Sequence, residues 1–325
     1  MFSLKNSRVV VTGGAGFIGS FVVRELLENE VGEVIIYDNF SRGKMENIQD
    51  SLKDSRCMLF PHGGDIRDID ILNEALKNAD YVFHLAALWL LHCRDYPRAA
   101  FEVNIRGTYN VLEACINNNI KKLVYSSSAS VYGDAVEVPM TEAHPFNNRN
   151  FYGATKISGE AMCRSLYDRY GLNYVGIRYM NVYGPYQDQL SAYSGVIPIM
   201  LNKIDAGENP VIHGEGSQAY DFVYVKDVAR ANILALQSSA TDAFYNVGTG
   251  VQTSVSQLCN TILRLKKSRL QVKYKPYPEA DERRLVKNRI GSTEKAEKEI
   301  GFRYRYDLET GLRKLIQWRD AGKIL

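Results

Sequence analysis

The chain has 325 residues, of which 45% are hydrophobic and 24% are charged, which is typical of a folded protein with one large domain and a smaller one. The net charge of +3 is close to balance, and no basic run is interleaved with aromatic residues, so we expect no nucleic-acid partner. No apolar run approaches the roughly 18 residues of a membrane span, so we expect no membrane insertion.

Cysteine and histidine usage indicates a reducing compartment and no metal site. The five cysteines are odd in number and form no C-x-x-C pair, so we predict free thiols. The five histidines show no H-x-x-x-H spacing, which argues against zinc. The N-terminus runs into an apolar strand without a signal-peptide pattern. We therefore expect a cytoplasmic protein.

The first half of the chain alternates β-branched apolar runs with amphipathic stretches. We predict strands at residues 8–12, 33–38, 56–61, 80–85, 121–126 and 173–179. We predict helices at 20–30, 70–77, 98–118 and 152–170. Near-continuous apolar runs are typical of parallel strands that are buried on both faces. The alternation predicts an α/β fold with a doubly wound parallel sheet of the Rossmann type.

The pattern changes after residue 180 and predicts a second, smaller α/β domain. Its predicted elements are a loop at 183–194, a helix at 196–206, a turn at 213–216, a strand at 221–225 and a helix at 228–238. We expect residues 1–180 to form the Rossmann domain, with 217–250 returning to it. The second domain then consists of 181–216 and 251–325.

Three glycines, Gly13, Gly16 and Gly19, lie between the first predicted strand and the first predicted helix. Glycine permits a tight turn there, and it lets the backbone approach a pyrophosphate. The N-terminus of the following helix presents free N–H groups to such an anion. This context predicts a dinucleotide-binding loop.

Asp38 ends the second predicted strand, in the segment VIIYDNFSRG. An acidic side chain at this point accepts hydrogen bonds from the adenosine ribose and repels a 2′-phosphate, which favours NAD over NADP. Arg42 lies nearby in the sequence and argues for the phosphate instead. On balance the segment predicts NAD.

Tyr152 and Lys156 lie one helical turn apart in FYGATKISGE, so their side chains share one helix face. A lysine ammonium beside a phenol lowers the pKa of the phenol. A hydride-transfer enzyme needs such a base to accept the alcohol proton. Ser126, Ser127 and Ser128 end a predicted parallel strand, where the ligands of such sheets bind. Together these residues predict an active site.

Six segments together resemble one known family. They are TGGAGFIG, HLAA at 84–87, SSSASVYG at 126–133, YGATK, RYMNVYGP at 178–185 and DFVYVKDVARA at 221–231. The chain resembles the extended short-chain dehydrogenase/reductases, and within them the NDP-sugar epimerases and dehydratases of the UDP-glucose 4-epimerase type. The resemblance covers nearly the whole chain and implies that the second domain binds a nucleotide sugar.

The resemblance also implies a role for each matching residue. Tyr152 would be the general acid/base, Lys156 would bind the nicotinamide ribose, and Ser128 would contact the sugar 4-hydroxyl. The implied cofactor residues are Gly13, Gly16, Phe17, Ile18, Gly19, Asp38, Asn39, Ser41, Arg42, Asp65, Ile66, Leu85, Ala86, Ala87, Asn104, Ser126, Tyr152, Lys156 and Tyr179. The implied substrate residues are Trp89, Ser128, Asn181, Val196, Tyr220 and Arg283.

Members of this family differ in the step that follows oxidation at C4. Dehydratases place an Asp-Glu pair, and decarboxylases a glutamate, directly after the position of Ser128, whereas this chain has Ala129 and Ser130. The resemblance therefore implies 4-epimerisation of a nucleotide sugar, with a UDP-hexose as the commonest substrate. Two alternatives stay open: an NDP-sugar 4-dehydrogenase or other 4-keto-forming enzyme, and a non-catalytic NAD-sensing protein.

Two departures from the family pattern concern the substrate diphosphate. Tyr220 stands in GEGSQAYDFVYV where relatives have an arginine. In ADERRLVKNRIGS either Arg283 or Arg284 could supply the missing charge, and Arg178 is a third candidate. Trp89, which follows the cofactor-lining alanines, would either form an apolar wall beside the sugar or pack in the core.

The predicted helices at 98–118 and 152–170 carry apolar positions on more than one face. In the family the corresponding helices pair across a dimer interface. The resemblance therefore implies a homodimer.

Overall fold

The computed structural model describes residues 2–188, 195–277 and 286–322. Within these ranges, seven parallel strands form the central sheet: β1 (Arg8–Thr12), β2 (Glu33–Tyr37), β3 (Cys57–Leu59), β4 (Tyr81–His84), β5 (Lys122–Ser128), β6 (Tyr174–Tyr179) and β7 (Ala243–Val247). Their order across the sheet is β7-β6-β5-β4-β1-β2-β3. The predicted doubly wound α/β fold is confirmed.

Both faces of this sheet are buried, as the apolar strand sequences predict. In β1, Val9 and Val11 belong to the apolar core on one face, and Val10 belongs to the core on the other. The strand β7 is not among the predicted strands, because polar Asn246 interrupts its short apolar run. In the structure the Asn246 side chain is buried and hydrogen-bonded to Tyr132, to the Met140 carbonyl and to the Ser292 carbonyl.

Helices cover the sheet and build the second part of the molecule. They are α1 (Phe17–Glu28), α2 (Met45–Ile48), α3 (Ile69–Leu76), α4 (Leu90–Asp95), α5 (Pro97–Ala100), α6 (Thr108–Asn117), α7 (Phe151–Tyr170), α8 (Val196–Asp205), α9 (Val225–Gln237), α10 (Val255–Leu265), α11 (Glu294–Ile300) and α12 (Leu308–Asp320). None of the helices in the described ranges is long and apolar enough to cross a membrane.

The prediction of one continuous α-helix over 98–118 is wrong in its middle. A π-helix at Phe101–Gly107 separates α5 from α6. Such insertions add a residue to the turn, and they occur frequently at functional sites. Here the π-helix carries Asn104, whose side chain is buried under the loop that follows β4.

Short strands and a third apolar core form the part of the molecule beside the sheet. Asn181–Tyr183 pairs with Phe222–Tyr224, and Val211–His213 pairs with Lys273–Lys275, both in parallel. Ala219–Tyr220 lies between Thr253–Ser254 and Asn288–Arg289. The third core draws its buried side chains mainly from α8, α10 and α12.

Candidate active site

A cleft of about 920 Å³ runs along the carboxyl ends of the central strands. Its walls come from the loops after β1, β2 and β4 and from the last residues of β5 and β6. This is the edge where open α/β sheets bind their ligands. Every predicted cofactor residue except Asn104 lines the cleft.

The glycine loop is tightly packed and fits a pyrophosphate. Gly13 has a positive φ of 73°, and a Cβ there would lie 2.7 Å from the Ala86 backbone nitrogen. A Cβ on Gly19 would overlap the Gly13 carbonyl oxygen. Helix α1 follows directly, and its N-cap, Gly16, makes no side-chain capping bond. The free N–H groups of that helix end therefore suit the phosphates of NAD.

Asp38 is held by the backbone at the end of β2. Its carboxylate accepts hydrogen bonds from the Ala15 and Phe40 amides at 2.9 and 2.8 Å. Burial raises the pKa of Asp38, and the two amides act against that rise. The guanidinium of Arg42 pairs with Asp188 at 3.4 Å and lies 4.5 Å from the Trp89 ring centroid. Arg42, the residue that could have bound the 2′-phosphate of NADP, is therefore paired with the carboxylate of Asp188.

The predicted catalytic residues meet at the end of β5. Lys156 Nζ donates to the Ser126 carbonyl at 2.7 Å and lies 5.8 Å from the Tyr152 ring centroid. Ser128, the last residue of β5, lies near Tyr152, and its hydroxyl lowers the pKa of the phenol. Burial lowers the pKa of Lys156 to about 8.

The predicted lowering of the Tyr152 pKa is wrong for the protein alone. Burial raises the pKa of Tyr152 to about 12, and the Ser128 hydrogen bond and the charge of Arg289 only partly offset it. The free energy lost by removing the phenolate from water exceeds the stabilisation that the neighbouring groups give to that charge. Tyr152 therefore rests as a neutral phenol.

A buried hydrogen-bond chain fixes the proton of Ser126. The Asn232 amide nitrogen donates to the Val228 carbonyl at 2.8 Å, so the amide oxygen is the acceptor for Tyr179 at 2.9 Å. Because the Tyr179 proton is used in this way, the Ser126 hydroxyl must donate to Tyr179, at 2.9 Å. The Ser126 oxygen keeps its lone pairs for the cleft and suits an amide N–H donor such as the nicotinamide carboxamide.

Arg178 is not available to a substrate. Its guanidinium donates to both Glu160 oxygens, from Nε at 2.9 Å and from Nη2 at 2.7 Å, and both side chains are only 5% exposed. Ser127 also donates to Glu160, at 2.5 Å. Through Ser127 the ion pair supports the end of β5. Arg178 is therefore excluded as the cation that binds the substrate diphosphate.

Asn104 supports the cleft without lining it. Its side chain accepts from the Leu88 amide at 2.7 Å and donates to the Leu88 carbonyl at 2.8 Å. This two-point contact fixes the loop that carries Leu85, Ala86 and Ala87 into the cleft.

The predicted substrate residues are more scattered. Trp89 lines the cleft, whereas Ser128, Asn181, Val196 and Tyr220 do not. Val196 begins α8 next to Gly195, which does line it. The Tyr220 hydroxyl donates to the Val286 carbonyl at 2.8 Å. Arg283 lies outside the described residues.

Sequence reasoning missed several cleft residues and one cation. Phe40 and Leu88 lie directly beside predicted residues in the chain, and His92 lies three residues after Trp89, so this proximity was a usable signal. Arg289 gave no such signal, because its position depends on the pairing of a two-residue strand with a distant segment. Among the described residues no cluster of three or more His, Cys, Asp or Glu could hold a metal ion.

A sequence model of the NAD-dependent epimerase/dehydratase family matches residues 9–248. The chain belongs to this family. A UDP-N-acetylglucosamine 4-epimerase from Methanobrevibacter ruminantium M1, solved with UDP-N-acetylmuramic acid, is 38% identical with a TM-score of 0.91, covering 98% of this chain and 99% of that one.

Two further relatives are similar over almost their whole length. The Thermotoga maritima UDP-glucose 4-epimerase, solved with UDP-glucose, is 34% identical with a TM-score of 0.89, covering 97% of this chain and 99% of that one. The UDP-glucose 4-epimerase of Mycolicibacterium smegmatis is 34% identical over 317 residues, 96% of this chain and 98% of the relative. The predicted family, the enzymatic nature of the protein and its NAD cofactor are confirmed.

Proposed function

We propose that this protein is an NAD-dependent UDP-hexose 4-epimerase. The observation that carries the proposal is that Tyr152 and Lys156 line the NAD cleft at the end of β5, where Lys156 donates to the Ser126 carbonyl. Ala129, which follows Ser128, provides no carboxylate for elimination or decarboxylation. The relatives named above, which are UDP-glucose and UDP-N-acetylglucosamine 4-epimerases, support the same reaction.

The chemistry needs one proton site and one hydride site. NAD bound in this cleft would supply the hydride acceptor and, in its reduced form, the hydride donor for C4. Tyr152 takes the O4 proton as the C4–O4 bond becomes a ketone, and Ser128 holds the same oxygen. The keto sugar turns in the pocket, and Tyr152 returns the proton to O4 as C4 receives the hydride on its opposite face. Atoms and electrons balance without a further acid.

We also propose the following cofactor contacts. The glycine loop and the start of α1 hold the pyrophosphate, Asp38 holds the adenosine ribose, and Lys156 holds the nicotinamide ribose. Ser126 accepts from the carboxamide. The remaining predicted cofactor residues line the same cleft, with Asn104 acting through Leu88.

The part of the molecule built on the third core is proposed as the nucleotide-sugar domain, formed by 181–216 and 251–325. The segment 217–250 would belong to the Rossmann domain, to which it contributes β7. Val196 and Trp89 would then face the substrate across the cleft mouth. Asn181 and Tyr220 would lie where the two domains join, because each side chain donates to the backbone of a segment assigned to the other domain.

A homodimer is proposed from exposed aromatic side chains on two helical segments. Phe101 and Tyr109 project from the π-helix and α6, and Phe151 and Tyr170 from the two ends of α7; all four are at least 39% exposed. Pairing these helices with a second copy would bury them. Light scattering after gel filtration tests this, and a monomer at micromolar concentration would contradict it.

A cytoplasmic location is proposed from the cysteines and the cofactor. All five thiols are free and buried, which suits a compartment that keeps thiols reduced. Fractionation of the native cells tests the proposal.

Turnover of UDP-sugars, followed by NMR and at 340 nm, tests the reaction itself. We expect inversion at C4 without net reduction of NAD, and complete loss of turnover in Tyr152→Phe with NAD binding retained. Stoichiometric reduction of NAD together with a keto product would instead establish a dehydrogenase. NAD binding without turnover of any sugar would leave an NAD-sensing protein.

A further inference from the structure

The carboxyl end of β5 has a neighbouring strand on one side only. The register of β5 with β4 ends at Tyr125, whereas its register with β6 continues to Ser128. In the described part of the chain, the serines at 126–128 therefore pair with β6 alone. A segment with fewer backbone contacts opens more readily, so contacts from outside the sheet have to fix this strand end.

One face of α7 supplies such contacts. Tyr152, Lys156 and Glu160 follow one another at intervals of four residues, so they lie along one side of the helix. Lys156 Nζ donates to the Ser126 carbonyl at 2.7 Å, and the Glu160 carboxylate accepts from the Ser127 hydroxyl at 2.5 Å. The helix therefore holds two successive residues of β5, one through its backbone and the other through its side chain.

Glu160 is itself held in place by Arg178, which lies on β6 directly opposite Ser127. The guanidinium donates to both carboxylate oxygens, at 2.9 and 2.7 Å, and both side chains are 5% exposed. Arg178 also donates to the Tyr132 hydroxyl at 2.8 Å and to the Glu142 carbonyl at 3.0 Å. A carboxylate that is fixed in this way restrains the strand end to which it is bonded.

We propose that Ser127 is a positioning residue for Lys156. This inference rests on the proposed function, because that function places Lys156 at the nicotinamide ribose. The Ser126 carbonyl and the Ser127 Cα belong to one planar peptide unit. The bond from the Ser127 Oγ to Glu160 therefore fixes the direction of the carbonyl that holds the Lys156 ammonium. Without that bond, the ammonium loses its defined place beside the ribose and Tyr152.

A double-mutant cycle on NAD binding tests the inference by calorimetry. The variants are Ser127→Ala, Lys156→Met and the two combined, and urea unfolding checks that each is folded. Ser127→Ala should weaken NAD binding about fivefold when Lys156 is present, as expected for the loss of one hydrogen bond. In the Lys156→Met background the same change should weaken binding less than about twofold, because the group that Ser127 positions is absent.

The matched control is Ser7→Ala, which removes a buried serine hydroxyl at the opposite edge of the sheet. Ser7 precedes β1 and donates to the Leu4 carbonyl at 2.6 Å. This variant should leave the affinity for NAD unchanged. Turnover of a UDP-sugar at saturating NAD gives a second readout. Ser127→Ala should lower kcat and leave the KM for the sugar nucleotide unchanged, because Ser127 acts through Lys156 and not on the sugar.

Two results would overturn the positioning role. An equal loss of NAD affinity with and without Lys156 would show that Ser127, which lines the cleft, contacts the cofactor itself. An unchanged affinity in Ser127→Ala would show that the Lys156 ammonium keeps its place without the bond to Glu160. If the wild type inverts no sugar, the proposed reaction fails, whereas the cycle on NAD binding still decides the role of Ser127.

Discussion

The buried pair of Arg178 and Glu160 allows the sharpest stability prediction. Replacing Arg178 with Met removes both hydrogen bonds to the Glu160 carboxylate, of 2.9 and 2.7 Å, together with those to Tyr132 and to the Glu142 carbonyl. It leaves the Glu160 carboxylate buried, with Ser127 as its side-chain donor. Breaking one side of a buried ion pair costs about 3–5 kcal/mol, because the remaining charge is uncompensated. We therefore expect Arg178→Met to lower the free energy of unfolding by about that amount.

Urea unfolding at pH 7, followed by circular dichroism, measures the effect. The double variant Arg178→Met/Glu160→Gln is the matched control, because it leaves no charge stranded. Its loss should be clearly smaller than that of Arg178→Met alone. A loss below about 1 kcal/mol in the single variant, combined with a raised KM for the sugar nucleotide, would refute the structural role. It would restore Arg178 as a substrate cation.

Three further predictions concern the cofactor cleft. Gly19→Ala should abolish measurable NAD binding in calorimetry, because its Cβ meets a carbonyl oxygen of the loop, whereas Gly16→Ala, with its nearest contact at 3.1 Å, should weaken binding less. Asn232→Leu should weaken NAD binding about fivefold, because Tyr179 loses its acceptor and the Ser126 hydroxyl is no longer held as a donor to Tyr179. One hydrogen bond is worth about 1 kcal/mol. An unchanged affinity for NAD would refute the role of this hydrogen-bond chain. Between pH 8 and 10 the folded state binds fewer protons than the unfolded state, because burial lowers the pKa of Lys156 to about 8. Stability should therefore rise with pH by about 2 kcal/mol relative to Lys156→Met, in paired urea titrations; parallel curves would contradict this.

The sheet and the phosphate loop were predictable because their sequence signals are local. Strand β1 is apolar on both faces, and Gly13 and Gly19 occupy positions where a side chain cannot fit. The catalytic pair on α7 was equally visible, since its spacing matches the helical turn. The residue patterns that predict these features each lie within a short stretch of the chain.

The features that the sequence did not predict depend on tertiary contacts. Asn246 enters the sheet because buried partners from three distant segments satisfy its amide. The raised pKa of Tyr152 follows from the desolvation of its phenol by segments that meet only in the folded chain. From the sequence, Arg178 could bind the diphosphate of the substrate. Only its ion pair with Glu160 shows that its charge is already neutralised within the protein.

The most direct test of the account is the stereochemical outcome at C4. UDP-glucose and UDP-glucuronate are incubated separately with the holoenzyme, the products are identified by NMR, and absorbance at 340 nm is recorded in the same sample. We predict that C4 of a UDP-sugar is inverted with no net rise at 340 nm. A keto product that accumulates with a stoichiometric rise at 340 nm would contradict the account.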